Sequence, residues 1–199
     1  EGLSLEHDSD YPAILLDNCR NVRITRNRFR LAERAPQRRV EHWVSVGGAL
    51  SASNRVDHNL FERRTNAGSC VFLRGDDRAL VCSRYDRVDH NHFRDRPWGG
   101  GPKAHETIRT GGNDLGASGQ SSFATIESNL LERCRGDQEM ISLKSSGNTV
   151  RGNTLLDGRG CICLRLGNSN TVCGNFILDT QGGDGSGGVK GYGFGHRIY

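Results

Sequence analysis

The chain has 199 residues, a formal net charge of +4 at pH 7 and a sequence pI near 8.8, and 25% of its residues are charged. Its lysines and arginines are spread among acidic residues and form no basic runs, which argues against nucleic acid and favours another anionic partner. No apolar run approaches the roughly 20 residues that cross a bilayer, so no membrane partner is expected, and the ordinary apolar share excludes a disordered chain.

From the N-terminus onward one short unit recurs: an asparagine, a Val or Ile two or three positions later, a second asparagine, and then Phe or Leu. Its six copies occupy residues 21–29, 54–61, 87–93, 126–131, 148–155 and 170–177, and the third and fourth copies lack the first asparagine. The second asparagines, called the inner asparagines below, are Asn27, Asn59, Asn91, Asn129, Asn153 and Asn175, spaced by 32, 32, 38, 24 and 22 residues. Such a recurring unit is typical of a solenoid, in which each coil packs only on its neighbours.

Within each copy apolar and polar residues alternate, which predicts short strands with one face turned inward. The asparagine at every corner is expected to adopt the left-handed conformation and to bond to the neighbouring coil, forming a ladder. A minimal coil then takes about 22 residues, and the longer intervals hold inserted loops such as residues 35–41 and 96–103. The predicted fold is all-β, a right-handed parallel β-helix.

The two ends of the chain fit the same architecture. Residues 3–34 are expected to form the first coils, so residues 1–199 are predicted to be a single β-helix domain. Residues 193–199 look like the start of another corner, and because an uncapped solenoid end is sticky, we expect the natural protein to continue beyond Tyr199. The seven cysteines cannot all pair within the chain, and they are expected to be small buried hydrophobes.

Four strands in the later coils are predicted to end in a cation. The triplets are Thr107-Ile-Arg109, Ser142-Leu-Lys144, Cys163-Leu-Arg165 and Gly188-Val-Lys190, separated by 35, 21 and 25 residues. Adjacent strands lie roughly 4.8 Å apart, so the cations are predicted to stack as a basic column, with Lys144 and Arg165 almost in contact. Because arginine stays charged, the lysine is the member that can relieve the repulsion by losing its proton, which makes Lys144 a candidate base.

A row of fixed cations on a long solenoid face suits a polyanionic sugar chain. In uronic acid polymers the C5 proton lies beside a carboxylate, and its removal requires that the developing charge be neutralised. Just before Lys144, the carboxylates of Asp137 and Glu139 have alternate-strand spacing. Oxygen ligands of this kind suit Ca²⁺, and the two acids equally suit salt bridges with the cations. A neutralising group, a base and an acid together indicate a lyase for an anionic polysaccharide.

Three segments in a fixed order carry a family resemblance. They are residues 137–145 (DQEMISLKS), 148–154 (NTVRGNT) and 164–168 (LRLGN). They resemble the motifs E-x-E-x-I-S-x-K-S, N-x-I-R-G-N-T and L-R-H-G-N of polysaccharide lyase family 6, which includes alginate lyases and chondroitinase B. The stretch Glu106-Thr-Ile-Arg109 resembles a further part of that family, and the match is dense from about residue 126 to residue 176.

The resemblance implies a β-elimination in which Lys144 removes the C5 proton and Arg165 serves the glycosidic oxygen as acid. The candidate substrate-binding residues on the same face are Lys103, His105, Glu106, Arg109 and Lys190.

The resemblance also implies a calcium ion held by Asp137, Glu139 and an asparagine just ahead of the E-T-I-R stretch. In this chain Lys103 takes the place of that asparagine. Two alternatives therefore remain, a calcium site or no cofactor at all, with the Lys103 ammonium supplying the charge. The histidine of L-R-H-G is replaced by Leu166, so any substrate contact from that position is missing.

The expected activity is cleavage of a uronic-acid polymer by a secreted or periplasmic polysaccharide lyase, with alginate favoured over a glycosaminoglycan. Two alternatives are a β-helical C5 epimerase or pectin-degrading enzyme, and a non-catalytic carbohydrate-binding β-helix. The lysine and arginine one coil apart favour the lyase. A pectin enzyme is expected to carry aspartate clusters in its groove, and a binding relic is expected to have lost Lys144 or Arg165.

Overall fold

A computed structural model describes residues 1–7, 11–32, 42–98, 105–112, 119–180 and 186–199. Within these ranges the chain forms short β-strands and no helix, and hence no helix long and apolar enough to cross a membrane. In chain order the strands are β1 (Ser4–His7), β2 (Ile14–Asp17), β3 (Arg23–Thr25), β4 (Arg28–Leu31), β5 (Val44–Gly47), β6 (Arg55–Asp57), β7 (Leu60–Glu62), β8 (Val71–Gly75), β9 (Arg87–Asp89), β10 (His92–Arg96), β11 (Ile108–Thr110), β12 (Thr125–Glu127), β13 (Leu130–Cys134), β14 (Glu139–Lys144), β15 (Thr149–Arg151), β16 (Thr154–Leu156), β17 (Gly160–Leu166), β18 (Thr171–Cys173), β19 (Phe176–Leu178), β20 (Ser186–Gly191) and β21 (Arg197–Ile198).

Successive strands fall in turn into three parallel seven-stranded sheets, so that every third strand is a hydrogen-bonded neighbour. The front sheet contains β2, β5, β8, β11, β14, β17 and β20, the corner sheet contains β3, β6, β9, β12, β15, β18 and β21, and the back sheet contains β1, β4, β7, β10, β13, β16 and β19. Three strands therefore make one coil, and each coil lies in parallel register on the next. The predicted parallel β-helix is confirmed.

Inward side chains form apolar columns that run through the coils. In the corner sheet one column consists of Ile24, Val56, Val88, Ile126, Val150 and Val172, all buried. In the back sheet Phe29, Phe61 and Phe93 stack with ring centroids 4.6 and 4.7 Å apart. β-Branched and aromatic residues pack well on such a pleated surface, so like residues repeat at like positions. None of the seven cysteines forms a disulfide among the described residues, and five of them are buried.

The inner asparagines bond to one another from coil to coil. The backbone N–H and the side-chain Nδ2 of Asn59 both donate to Oδ1 of Asn91, each at 3.0 Å. Asn91 donates in the same way to Asn129, and the pattern extends to Asn27 at one end and Asn175 at the other. A buried amide left unpaired costs about 1–3 kcal/mol, so the ladder fixes the same turn in every coil. The predicted asparagine ladder is confirmed.

The prediction that the inner asparagines adopt the left-handed conformation is wrong by one residue. The left-handed φ belongs to the residue before each of them, with values of 56° at Arg26, 54° at His58 and 54° at His90. The asparagine side chain must turn inward to donate and accept its ladder bonds. The preceding residue, which faces solvent, therefore takes the left-handed conformation, and in the later coils it is Gly152 or Gly174.

Arginines and aspartates alternate on the outer face of the corner sheet. The guanidinium of Arg23 donates to both oxygens of Asp57 at 2.9 and 2.7 Å, and Arg55 does the same to Asp89 at 2.9 and 2.7 Å. Burial alone would raise the pKa of both carboxyls, but bonds from an arginine and a histidine hold the pKa of Asp57 and of Asp89 below the ordinary value. This pairing explains why basic residues are spread along the chain and form no basic run.

The loops predicted at residues 35–41 and 96–103 fall largely outside the described residues. Arg96, which the prediction placed in the second loop, is instead the last residue of β10 and is buried. Its guanidinium donates to the carbonyl oxygens of His105 at 2.7 Å and of Gly68 at 2.8 Å. These bonds tie the segment that leads into β11 to the coil before it.

Candidate active site

The outer face of the front sheet carries the predicted catalytic lysine. In β14 the side chains of Ile141 and Leu143 are fully buried in the core, and strand alternation places Ser142 and Lys144 on the opposite face. The Lys144 side chain, which ends the strand, is 12% exposed. It is therefore held in a recess of the sheet face and does not extend freely into solvent.

The predicted basic column has a different register in the structure. Arg109 pairs with Ser142, Ser142 pairs with Cys163, and Cys163 pairs with Lys190. Lys144 lies two residues further along its strand than the position opposite Arg109. The four cations are therefore not one straight column: Arg109 and Lys190 share a row, and Lys144 lies beyond it.

A β-bulge separates Lys144 from the position expected for Arg165. Leu143 pairs with Leu164, whereas Lys144 pairs with Leu166, so Arg165 is the additional residue of β17 at this point. A bulge re-aims the side chain that it carries. Lys144 and Arg165 lie on adjacent strands, as predicted, but they are offset by one position and do not face each other directly.

Close packing of the neighbouring coil fixes the backbone at Lys144. Gly111 follows β11 with φ +72°, and a Cβ built at this residue would lie 2.2 Å from the Lys144 carbonyl oxygen. Only glycine permits both this φ and this approach. The carbonyl side of the lysine is consequently held against the preceding coil.

The charged partner of Lys144 is Glu106. Its Oε1 accepts a hydrogen bond from Lys144 Nζ at 3.2 Å and lies 3.9 Å from the Arg109 guanidinium. The Glu106 side chain is only 5% exposed. Burial would raise the pKa of Glu106, but Lys144 and Arg109 hold it below the ordinary value. Its second oxygen, Oε2, is buried without a hydrogen-bond partner among the described residues.

Arg109, predicted to bind substrate, lies beneath the surface. The residue is 7% exposed, and its guanidinium lies 4.5 Å from the centroid of the Phe72 ring. Burial lowers its pKa, while Glu106 acts in the opposite direction. This placement suits a residue that positions Glu106 better than one that contacts a polymer directly.

Arg165 has its own carboxylate partner. Its Nε lies 3.6 Å from Oε1 of Glu139, whose Oε2 accepts a hydrogen bond from Ser142 at 2.6 Å. The Arg165 side chain is 46% exposed, and its guanidinium carbon lies 5.4 Å from the centroid of the Tyr192 ring. Arg165 is therefore the accessible cation next to the recessed Lys144.

Asp137 and His105 are joined through the backbone. The amide of His105 donates to Asp137 Oδ2 at 3.3 Å, and the amide of Glu139 donates to Asp137 Oδ1 at 3.2 Å. Burial, followed by repulsion from Glu106 and then Glu139, raises the pKa of Asp137. Burial lowers the pKa of the His105 imidazole, with a further contribution from Arg96. A neutral ring at His105 is expected near pH 7.

Lys190 lies one coil beyond the strand of Arg165 and is exposed. Its ammonium lies 5.4 Å from the centroid of the Tyr192 ring, and the hydrogen bond to that phenol raises the pKa of Lys190. A cavity of about 190 Å³ opens beside it. The cavity is lined by Gln138, Glu139, Arg159, Gly160, Cys161, Gly187 and Lys190.

The described carboxylates do not fit a calcium cage. Glu106 is engaged with Lys144, Glu139 with Arg165 and Ser142, and Asp137 with two backbone amides. Among the described ranges, no group of three or more His, Cys, Asp or Glu is arranged to hold a metal ion. Lys103, the predicted substitute for the ion, lies outside the described residues.

Sequence reasoning missed Ser142 and Tyr192, which contact the carboxylate and the guanidinium of the Glu139–Arg165 pair. The distribution of lysine in the sequence supports the predicted position of the site. The chain contains only three lysines among 27 basic residues, and all three are predicted site residues: Lys103, Lys144 and Lys190. Arginine thus serves the structural ion pairs, whereas lysine is confined to the predicted groove.

A family model and solved structures both show what the chain is similar to. A family model described as chondroitinase B matches residues 8–199. No curated protein sequence matches the chain.

Solved structures of polysaccharide lyase family 6 are similar to the chain. A mannuronic acid specific lyase from human gut microbiota is 26% identical, with 87% of this chain and 38% of that one covered and a TM-score of 0.71. An alginate lyase in complex with a trisaccharide is 25% identical, with 88% and 38% covered and a TM-score of 0.72. The alginate lyase AlyGC is 26% identical, with 100% and 28% covered and a TM-score of 0.64. The chain spans only 28% to 38% of the length of these proteins.

Proposed function

The chain belongs to the chondroitinase B family, which is polysaccharide lyase family 6, and from that premise we propose that it cleaves a uronic-acid polymer, alginate first, by β-elimination. The observation that carries the proposal is the recessed Lys144, held by Glu106 at 3.2 Å beside the exposed Arg165. An amine base next to an accessible guanidinium suits removal of a proton from C5 and departure of the oxygen at C4. A polymeric substrate also favours action outside the cytoplasm, in a secreted or periplasmic protein.

Lys144 is the proposed base. In its neutral form the amine takes the C5 proton of a uronate residue, and the electron pair of the broken C5–H bond becomes the C4–C5 double bond. Glu106 accepts a hydrogen bond from the same nitrogen at 3.2 Å. The nitrogen becomes positive as the proton arrives, so a carboxylate already in place stabilises the transition state more than the ground state.

Arg165 is the residue proposed to assist departure of the glycosidic oxygen. As the C4–O bond breaks, the glycosidic oxygen leaves with the electron pair and accepts a hydrogen bond from the guanidinium. A guanidinium keeps its proton in proteins, so the proton that completes the new hydroxyl is drawn from water. Glu139, 3.6 Å from Arg165 Nε, orients the guanidinium for this contact.

Neutralisation of the substrate carboxylate is assigned to protein cations. Lys190 and Arg165 are exposed on the sheet face, and Lys103 replaces the asparagine that the family resemblance associates with calcium. In this proposal the lysine ammonium supplies the positive charge that lowers the barrier to C5 deprotonation. This assignment makes the reaction independent of added metal.

Chelation should leave the activity unchanged. The expected result is the same rate of alginate cleavage in excess EDTA as in buffer with added CaCl₂, because side-chain cations supply the neutralising charge. Lys103→Ala is the companion variant and should lose activity in both buffers. A rate that falls in EDTA and returns with Ca²⁺ would instead establish the calcium alternative for the unaltered chain.

A panel of uronic polymers tests the proposed substrate. Poly-mannuronate, poly-guluronate, dermatan sulfate and pectate are incubated with the protein, and the ultraviolet absorbance of unsaturated uronate ends is followed. The expected result is a rise with one or both alginate blocks. A rise only with dermatan sulfate would move the substrate to glycosaminoglycans, and no rise with any polymer would contradict the proposed activity.

A further inference from the structure

Two histidines on the corner side of the molecule lie apart from the proposed active site. His58 and His90 follow β6 and β9 directly, and their imidazole rings stack with centroids 5.0 Å apart and planes 2° apart. Their side chains are 44% and 48% exposed. Each ring therefore presents one edge to solvent at the same place in successive coils.

A buried carboxylate orients each imidazole. Nδ1 of His58 lies 2.7 Å from Oδ2 of Asp57, and Nδ1 of His90 lies 2.8 Å from Oδ2 of Asp89. Both carboxylates are ionised acceptors, since an arginine donates to each of them through two nitrogens. An ionised carboxylate can only accept, so Nδ1 must carry the hydrogen. In the neutral ring the lone pair is then on Nε2, on the edge away from the aspartate.

We propose that His58 and His90 together bind one d-block divalent cation, of the class of Ni²⁺, Zn²⁺ and Cu²⁺, through their Nε2 atoms. Imidazole nitrogen is a preferred ligand of these ions. A histidine that ligates a metal almost always donates its other ring N–H to a carboxylate or carbonyl, which fixes the tautomer and raises the basicity of the ligand. Both histidines already have that arrangement.

Binding of one ion requires the two rings to turn toward each other. A metal–nitrogen bond is about 2.1 Å long, so two nitrogens at a tetrahedral angle on one ion are about 3.4 Å apart. The ring centroids are 5.0 Å apart and the planes are parallel within 2°, so the lone pairs point the same way and the two rings must tilt until their Nε2 edges converge. Half-exposed side chains allow this movement. Water completes the coordination, so the site binds more weakly than a structural site with four protein ligands.

The simpler interpretation is that each aspartate–histidine bond only supports a corner of the coil. Equivalent corners without histidine are formed by Arg26, Ser128, Gly152 and Gly174, which take the same left-handed conformation. The corner therefore forms without an imidazole, and support of the turn does not explain why two histidines occur at adjacent coils.

Isothermal titration calorimetry of the full chain with NiCl₂, and separately with ZnCl₂, tests the site. The expected result is one ion per chain, with affinity reduced at least about tenfold in His58→Asn and in His90→Asn, because loss of a ligand should cost at least as much as loss of an outer-shell partner, which is about 10- to 100-fold. Asparagine tolerates the left-handed conformation, so these variants are expected to fold, and circular dichroism checks that they do.

His92→Asn is the matched control. His92 lies in β10, and its Nε2 is 2.9 Å from Glu132 Oε2, so this ring is already engaged. Its replacement should leave the affinity for both ions unchanged. Absence of binding to the parent protein overturns the proposal, and so does binding that is equally strong in folded His58→Asn and His90→Asn proteins.

Discussion

Lys144→Ala is expected to lower kcat on alginate by about 10³- to 10⁴-fold, the upper part of the range for loss of a general base. The side chain is the only recessed amine among the described residues of the front sheet, and its nitrogen is fixed by Glu106 at 3.2 Å. Loss of the amine removes the group that takes the C5 proton but leaves the exposed cations in place. KM should therefore change much less than kcat, as measured by the initial rise in ultraviolet absorbance.

Two further variants test whether Lys144 acts as a base or only as a positive charge. Lys144→Arg keeps a cation at the position but cannot give up its proton, so it should be as inactive as the alanine variant. Lys190→Ala removes an exposed cation two coils away and should act mainly on KM. If Lys144→Arg retains most of the activity, Lys144 acts only as a charge and the proposed mechanism is wrong.

Glu106→Gln is expected to lower kcat by about 10²-fold, as expected when a preorganised charge at the reacting centre is removed. Glutamine keeps the shape of the buried side chain, which is only 5% exposed, and so preserves the packing around it. It removes the negative charge that stabilises the nitrogen of Lys144 as the C5 proton arrives. Steady-state kinetics on alginate, with the fold checked by circular dichroism, measures the effect.

The split between kcat and KM distinguishes this role from a purely structural one. The lost charge acts on the transition state, so kcat should fall while KM changes little. Glu132→Gln is the control, because Glu132 pairs with His92 on the back sheet. A folded Glu106→Gln protein with full activity would remove Glu106 from the mechanism.

The fold was predictable from the sequence because a few local rules repeat six times. Each inner asparagine must bond to the next, and each apolar column must face inward, so the 22- to 38-residue spacing of Asn27 to Asn175 fixes the coil. The turn conformation was harder to assign, because both the asparagine and the residue before it tolerate a left-handed φ. Only the ladder geometry shows which of the two takes it.

Residues of the candidate site can be proposed from the sequence, but their register cannot. A β-bulge inserts Arg165 between Leu164 and Leu166, and no local sequence rule separates this from regular pairing. The contact of Lys144 with Glu106 joins residues 38 positions apart in the sequence, on neighbouring coils. Burial of Arg109 likewise depends on Phe72 in the neighbouring strand. These features follow from how coils stack, which the spacing of motifs does not specify.

Mass spectrometry of the products formed from alginate tests the central proposal most directly. β-Elimination by Lys144 and Arg165 predicts oligosaccharides with an unsaturated uronate at the new non-reducing end, each one water lighter than the corresponding hydrolysis product. The Lys144→Ala protein should form them about 10³- to 10⁴-fold more slowly at the same protein concentration. Saturated products from the unaltered chain, or unsaturated products that persist at full yield in the folded Lys144→Ala variant, would contradict the proposed function.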